Sequence, residues 1–183
     1  MGCAASLPAA GASAGDVGIT WQAQNSADGA VSRCFEGPHG DEIANGVSAG
    51  CSTGEWVSCS DDKTVALADW KAGRIVQVWR GHSRSVNRVV ALQSDATAHT
   101  SGQGIYLSAS RDTTLKLWRR GEDDAVATLA GHELTVSAVA AATDGSRAIS
   151  GSRDSSLRLW DLRTCQLASR CHVSRNVVTC LKW

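Results

Sequence analysis

Short runs that alternate apolar and polar residues recur along this chain, and no stretch carries the spacing of a long amphipathic helix. The clearest are Thr114-Leu115-Lys116-Leu117-Trp118 and Ser156-Leu157-Arg158-Leu159-Trp160, each patterned as a half-buried strand. Ile105-Tyr106-Leu107 and Arg147-Ala148-Ile149 predict strands just upstream. Val89-Val90-Ala91-Leu92 and Val136-Ser137-Ala138-Val139-Ala140 predict another pair, and Ile75 to Trp79 and Val126 to Leu129 outer strands. Asp-Lys-Thr, Asp-Thr-Thr, Asp-Ser-Ser and Thr143-Asp144-Gly145 supply the tight turns between them. The expectation is an all-β chain.

The runs belong to a phrase written three times. It reads Ser108-Ala109-Ser110-Arg111-Asp112-Thr113-Thr114 and then Ser150-Gly151-Ser152-Arg153-Asp154-Ser155-Ser156, with a worn first copy at Ser58-Cys59-Ser60-Asp61-Asp62-Lys63-Thr64. Gly81-His82 and Gly131-His132 precede the complete copies. A loop His, a strand Ser, a turn Asp and a strand Trp recur together: His82, Ser108, Asp112, Trp118, then His132, Ser150, Asp154, Trp160. Buried polar groups left unpaired cost roughly 1–3 kcal/mol each, so joint recurrence at fixed offsets points to a buried hydrogen-bond chain. The first copy has Ala68 at the Trp position. His39 lies four residues before Ile43, as His82 lies before Val86 and His132 before Val136, which predicts that Ile43 takes the Val86 place.

Gly-His, a strand, a polar turn and a strand closing on Trp-Asp resemble the WD repeat, in which each repeat builds one propeller blade. The resemblance implies an incomplete β-propeller over 34–183, with blades near 37–80, 81–130 and 131–171 and the first strand of a fourth at 172–183. Residues 1–33 read as a flexible tail. Propellers close with typically 4–8 blades, so three imply exposed flanks and either a truncated product or gene model, an assembly of arcs, or a partner that completes the ring. Members of the family generally act as non-enzymatic scaffolds that bind other proteins. Cys171 to Trp183, Asp61 to Val65 and Trp70 to Gly73 are similar to a member that supports intraflagellar transport and ciliary membrane-protein trafficking. The alternative the family offers is a generic cytosolic adaptor in ubiquitin ligation or signalling.

Composition narrows the classes. Lys and Arg number 18 against 18 Asp and Glu, so no net field draws the chain to nucleic acid. Seven cysteines form no CxxC pair and no metal-ligand spacing, and the odd count without a secretory signal predicts reduced thiols in the cytoplasm. No apolar run is long enough to span a bilayer. Met1-Gly2-Cys3-Ala4-Ala5-Ser6, however, fits the myristoylation pattern at Gly2, with Cys3 placed for palmitoylation. One acyl chain binds membranes only marginally and two hold, so a membrane-associated protein is expected, at a cilium or basal body by the resemblance.

Candidate partner-binding residues are Arg111 and Arg153, each preceding its turn Asp, with Asp61 at the matching place in the first copy. Arg84 and Arg175, predicted in loops nearby with Glu133 and Leu134, are further candidates. The guanidinium fork suits carboxylates on an acidic partner. Ser, His and Asp in each phrase are also the ingredients of a hydrolase triad. Their repetition and their strand and turn positions argue instead for structure, with no catalytic residue, metal, cofactor or small-molecule substrate expected. An insertion between Leu92 and Ile105, containing His99, predicts a loop on the opposite face.

Overall fold

Each alternating run becomes a strand, and the strands group in fours. The computed structural model describes residues 21–25, 31–35, 37–92, 104–173 and 177–183, with side chains from residue 37 onward. The chain divides into two units, Met1–Glu36 and Gly37–Trp183. In the first, β1 (Trp21–Asn25) pairs antiparallel with β2 (Val31–Phe35), Trp21 opposite Phe35. This hairpin lies mostly inside the stretch 1–33 read as a flexible tail and runs two residues past it, to Phe35. Small residues dominate that stretch, but Val31, with Cys34 and Phe35 just beyond it, suits a strand.

The second unit holds three four-stranded antiparallel sheets. The first comprises β3 (Ala44–Ala49), β4 (Glu55–Ser60), β5 (Val65–Asp69) and β6 (Arg74–Trp79). The second comprises β7 (Val86–Leu92), β8 (Ile105–Ser110), β9 (Leu115–Arg119) and β10 (Ala127–Leu129). The third comprises β11 (Val136–Ala141), β12 (Arg147–Ser152), β13 (Ser156–Asp161) and β14 (Gln166–His172). No helix occurs among the described residues.

Register makes the sheets comparable residue by residue. One rung runs Val47–Ser58–Ala66–Val78 in the first sheet, Val89–Ser108–Lys116–Thr128 in the second and Val139–Ser150–Arg158–Arg170 in the third. Val89 and Val139 are buried against the preceding sheet, whereas Val47 is exposed. On the other flank Trp79 and Leu129 are buried, while their equivalent Cys171 is exposed. The core therefore sits between sheets: Trp79, Tyr106 and Trp118 with Val57 and Leu67 at one seam, Leu115, Leu129 and Trp160 with Val136 and Ala148 at the next.

Each inner strand bulges at the same place, between Ala44 and Gly46, Val86 and Arg88, and Val136 and Ala138. A bulge re-aims its extra side chain. Asn45 donates to the Val86 carbonyl at 3.0 Å, Asn87 to the Val136 carbonyl at 2.8 Å and Ser137 to the Val178 carbonyl. Val178 thus occupies the place of Val86 and Val136, seated on Gly151, where an added Cβ would lie 2.4 Å from Val178 Cγ1. Residues 177–183 carry no strand, so the expected first strand of a fourth blade is present as a docked segment without a ladder.

Two further expectations are corrected. Ile43 is 67% exposed and does not take the Val86 place; its carbonyl accepts from the Asp61 N–H as that of Ser85 does from Arg111. Ala44 is the true equivalent of Val86, because the turn after His39 is one residue longer and passes through Gly40 at φ 56°. The third outer strand, β14, begins at Gln166 and ends at His172, so His172 closes the third sheet and does not open the next. All seven of its residues are exposed, which explains why no apolar alternation marks it.

Candidate interaction face and the tetrads beneath it

The recurring polar residues meet. His82 Nδ1 lies 2.7 Å from Asp112 Oδ2, His82 Nε2 lies 2.8 Å from Ser108 Oγ, and Trp118 Nε1 donates to Ser108 Oγ at 2.8 Å. In the third sheet His132 contacts Asp154 and Ser150 at 2.8 Å each, and Trp160 donates to Ser150 at 2.8 Å. The distances fit one direction along each chain, Trp N–H to Ser oxygen, Ser O–H to His Nε2 and His Nδ1–H to Asp, the arrangement an Nδ1–H tautomer gives. In the first sheet His39 reaches Asp62 and Ser58 at 2.8 Å, while Ala68 leaves the Ser without its indole donor.

The turn Asp is the anchor. Asp112 also accepts from the Ser83 N–H and from the Thr114 N–H and hydroxyl; Asp154 accepts likewise from Glu133 and Ser156. Burial pushes both carboxyls up, but the bonds from His82 and Thr114, or from Ser156, Glu133 and His132, outweigh it and hold them well below the usual range. Burial lowers His132, outweighing the lift from Asp154, and Arg158 and Arg170 add to that lowering. The residue after each Asp adopts a left-handed conformation: Lys63 at φ 72°, Thr113 at 74° and Ser155 at 61°. For β-branched Thr113 this is strained, held by the surrounding bonds.

These distances are those of a nucleophile, base and acid, yet Ser108 and Ser150 are fully buried and Ser58 is 1% exposed. No substrate reaches such an oxygen, and the Trp N–H occupies it in two sheets. The tetrads are structural. Of the described cysteines, Cys59 is buried and its thiol pushed up to about 12, chiefly by burial, which makes it inert.

Just before each Asp stands an outward residue fixed by its own backbone. The Arg111 N–H donates to Ser85 at 2.9 Å, the Arg153 N–H to Thr135 at 3.0 Å and the Asp61 N–H to Ile43 at 3.1 Å. Arg111 and Arg153 line one open depression of about 240 Å³, together with Arg88 and the bulged Asn45, Asn87 and Ser137. Arg88 Nη1 caps the Asn45 carbonyl at 2.8 Å. Asp61 accepts from the lining Asn45 at 2.7 Å, and hydrogen bonds from Asn45 and Ser85, with the charge of Arg111, hold its carboxyl below the ordinary value. Neither Arg111 nor Arg153 has a carboxylate within 4 Å among the described residues. Arg84, Glu133 and Leu134 are exposed in the loops and do not line the depression. Gly2, Cys3, Arg175 and the insertion with His99 lie outside the described residues; the insertion's anchors, Leu92 and Ile105, pair at the sheet end away from His82.

Three features of the structure were not read from sequence. Arg88 and the Asn45–Asn87–Ser137 set follow from the bulges, which no residue pattern marks. The seam between the first two sheets is locked by Trp79 and Gln77, which both donate to the Glu122 carbonyl at 2.8 and 2.7 Å. An ion pair of 2.7 Å between Arg120 and Glu55 lies between residues of the same two sheets.

Residues 73–119 and 124–161 match the WD domain, G-beta repeat. The chain carries WD repeats. Each match takes the outer strand of one sheet and the first three of the next, so the WD repeat in the sequence is staggered against the sheets. Nuclear distribution protein nudF 1 of Talaromyces marneffei is 36% identical over 109 residues, covering 58% of this chain and 22% of its own length. Nuclear distribution protein PAC1 of Arthroderma otae is 36% identical over 117 residues, covering 58% and 24%. The ribosome biogenesis protein WDR12 homolog of Drosophila erecta is 34% identical over 130 residues, covering 60% and 29%. The chain thus spans less than a third of the length of these relatives.

Proposed function

We propose that this chain is a non-enzymatic docking platform for other proteins, gripping an acidic surface through Arg111 and Arg153. The observation that carries this is the convergence of both side chains on one polar depression whose walls are held by buried tetrads. Unpaired guanidinium forks on a rigid rim suit carboxylates better than flexible ammonium groups would. In a pulldown with the full chain, the Arg111→Ala/Arg153→Ala double variant should lose its acidic partners while keeping its thermal midpoint. Retention of every partner would overturn the assignment.

The sequence supports a finer reading. Met1 to Ser6 suit acylation at Gly2 and Cys3, which would tether the platform to a membrane. Cys171 to Trp183 and the Ser-Arg-Asp turns resemble WD repeat-containing protein 31, which implies work at the cilium or basal body. Gly2→Ala should shift the protein from the membrane to the soluble fraction, and proximity labelling in ciliated cells should recover transport components. An unmoved membrane fraction sinks the tether; labelling confined to ubiquitin-ligase or signalling proteins favours the adaptor alternative. The relatives' names concern nuclear distribution and ribosome biogenesis, so shared repeats alone select no process.

A further inference from the structure

The rung that carries the tetrad serine ends differently in each sheet. In the first it continues to Ala66 and Val78, an apolar pair. In the second it continues to Lys116 and Thr128, and Lys116 Nζ donates to Thr128 Oγ1 at 2.9 Å. In the third it places Arg158 directly opposite Arg170. Like charges facing each other across a ladder are destabilising, and a buried cation needs a counter-charge or a full set of acceptors. Arg158 has neither: it is 6% exposed and its Nε is buried without a hydrogen-bond partner. Among the described residues no carboxylate lies within 4 Å of Arg158 or Arg170.

The arginine is nevertheless held in place. Its guanidinium rests on the bare Cα of Gly131, where an added Cβ would lie 2.2 Å from Nη1, beside Trp160. Gly131 is exposed, and so is Arg170 on the neighbouring strand. The same rung in the other sheets shows that the fold does not demand two cations here.

We propose that Arg158 and Arg170 form a binding site for a phosphate monoester carried on a side chain of a partner protein. Two fixed positive charges are matched by a dianion and only half matched by a carboxylate, and phosphate oxygens accept from both forks. This site is separate from the Arg111–Arg153 depression and stands or falls without it.

Thermal melts of the full chain test it, using inorganic phosphate and O-phospho-L-serine against acetate at matched ionic strength. Both phosphorylated probes should raise the midpoint and acetate should not. Arg170→Gln, a surface change that leaves the core intact, should weaken the response about tenfold or more, as loss of a charge-assisted hydrogen bond implies. Arg158→Lys should weaken it too, whereas Arg111→Ala/Arg153→Ala should leave it unchanged. No rise in the wild-type chain, or an equal rise in Arg170→Gln, overturns the proposal. Arginine-dependent binding to phosphoinositide vesicles without any response to phosphoserine would overturn the protein-borne source.

Discussion

Val47 and Val89 stand on the same rung of consecutive sheets, yet Val47 is 66% exposed and Val89 is 4% exposed. Sequence environment does not separate them; Val89 packs into the seam with Val57 and Leu67 of the first sheet. Val89→Ala should therefore lower stability by about 2 kcal/mol, the loss of two buried carbon groups plus a small cavity. Val47→Ala should move it by less than about 0.5 kcal/mol. Urea midpoints of the two variants measure the difference, and equal effects would contradict the packing described.

Ser108 is the hub of the second tetrad. Ser108→Ala leaves the Trp118 N–H without its acceptor and His82 Nε2 without its donor, and should cost about 1–3 kcal/mol. Ser58→Ala should cost less, because Ala68 offers no indole N–H to strand. Chemical denaturation followed by tryptophan fluorescence ranks the pair; the reverse order would remove the tetrads from the account of stability.

Stability should fall with acid in two stages of the same sign. Folded Asp112 and Asp154 have depressed pKa values, so their contribution is complete above the unfolded value of about 4 and is lost as pH drops towards the folded values. Folded His132 is also depressed, so the unfolded chain takes up the proton first, and stability begins to decline below about pH 6.5. Urea midpoints between pH 7.5 and 3 should decrease throughout. A midpoint higher at pH 5 than at 7.5 would contradict the neutral imidazole.

Gly131→Ala should destabilise the third sheet by about 1–3 kcal/mol, since φ is 149° and the new methyl group would overlap the Arg158 guanidinium. Combining it with Arg158→Ala should recover part of the loss. Thermal midpoints of the single and double variants give the coupling; strict additivity would show that the two residues do not touch.

Much of this fold was legible because its chemistry repeats. Ser, Asp and Trp stand at matching offsets behind a Gly-His, and the four meet at 2.7–2.8 Å in the second and third sheets. What escaped was whatever depends on backbone geometry or on exposure. The extra residue after His39 shifts the register by one, which an apolar Ile43 conceals. The strand Gln166–His172 buries nothing and so has no apolar signature. Arg111 and Arg153 were marked by position, but their shared depression depends on bulges at Asn45, Asn87 and Ser137 that sequence periodicity does not record.

Those three bulged residues each address a main-chain carbonyl, a group every amino acid carries. That part of the joint is consequently blind to the neighbour's side chains, even though the seam beside it packs them, and Asn and Ser serve it equally. Units built this way are interchangeable: one may be duplicated, worn down as the first has been, or elaborated with new charges as the third has been, while the pitch of the stack is preserved.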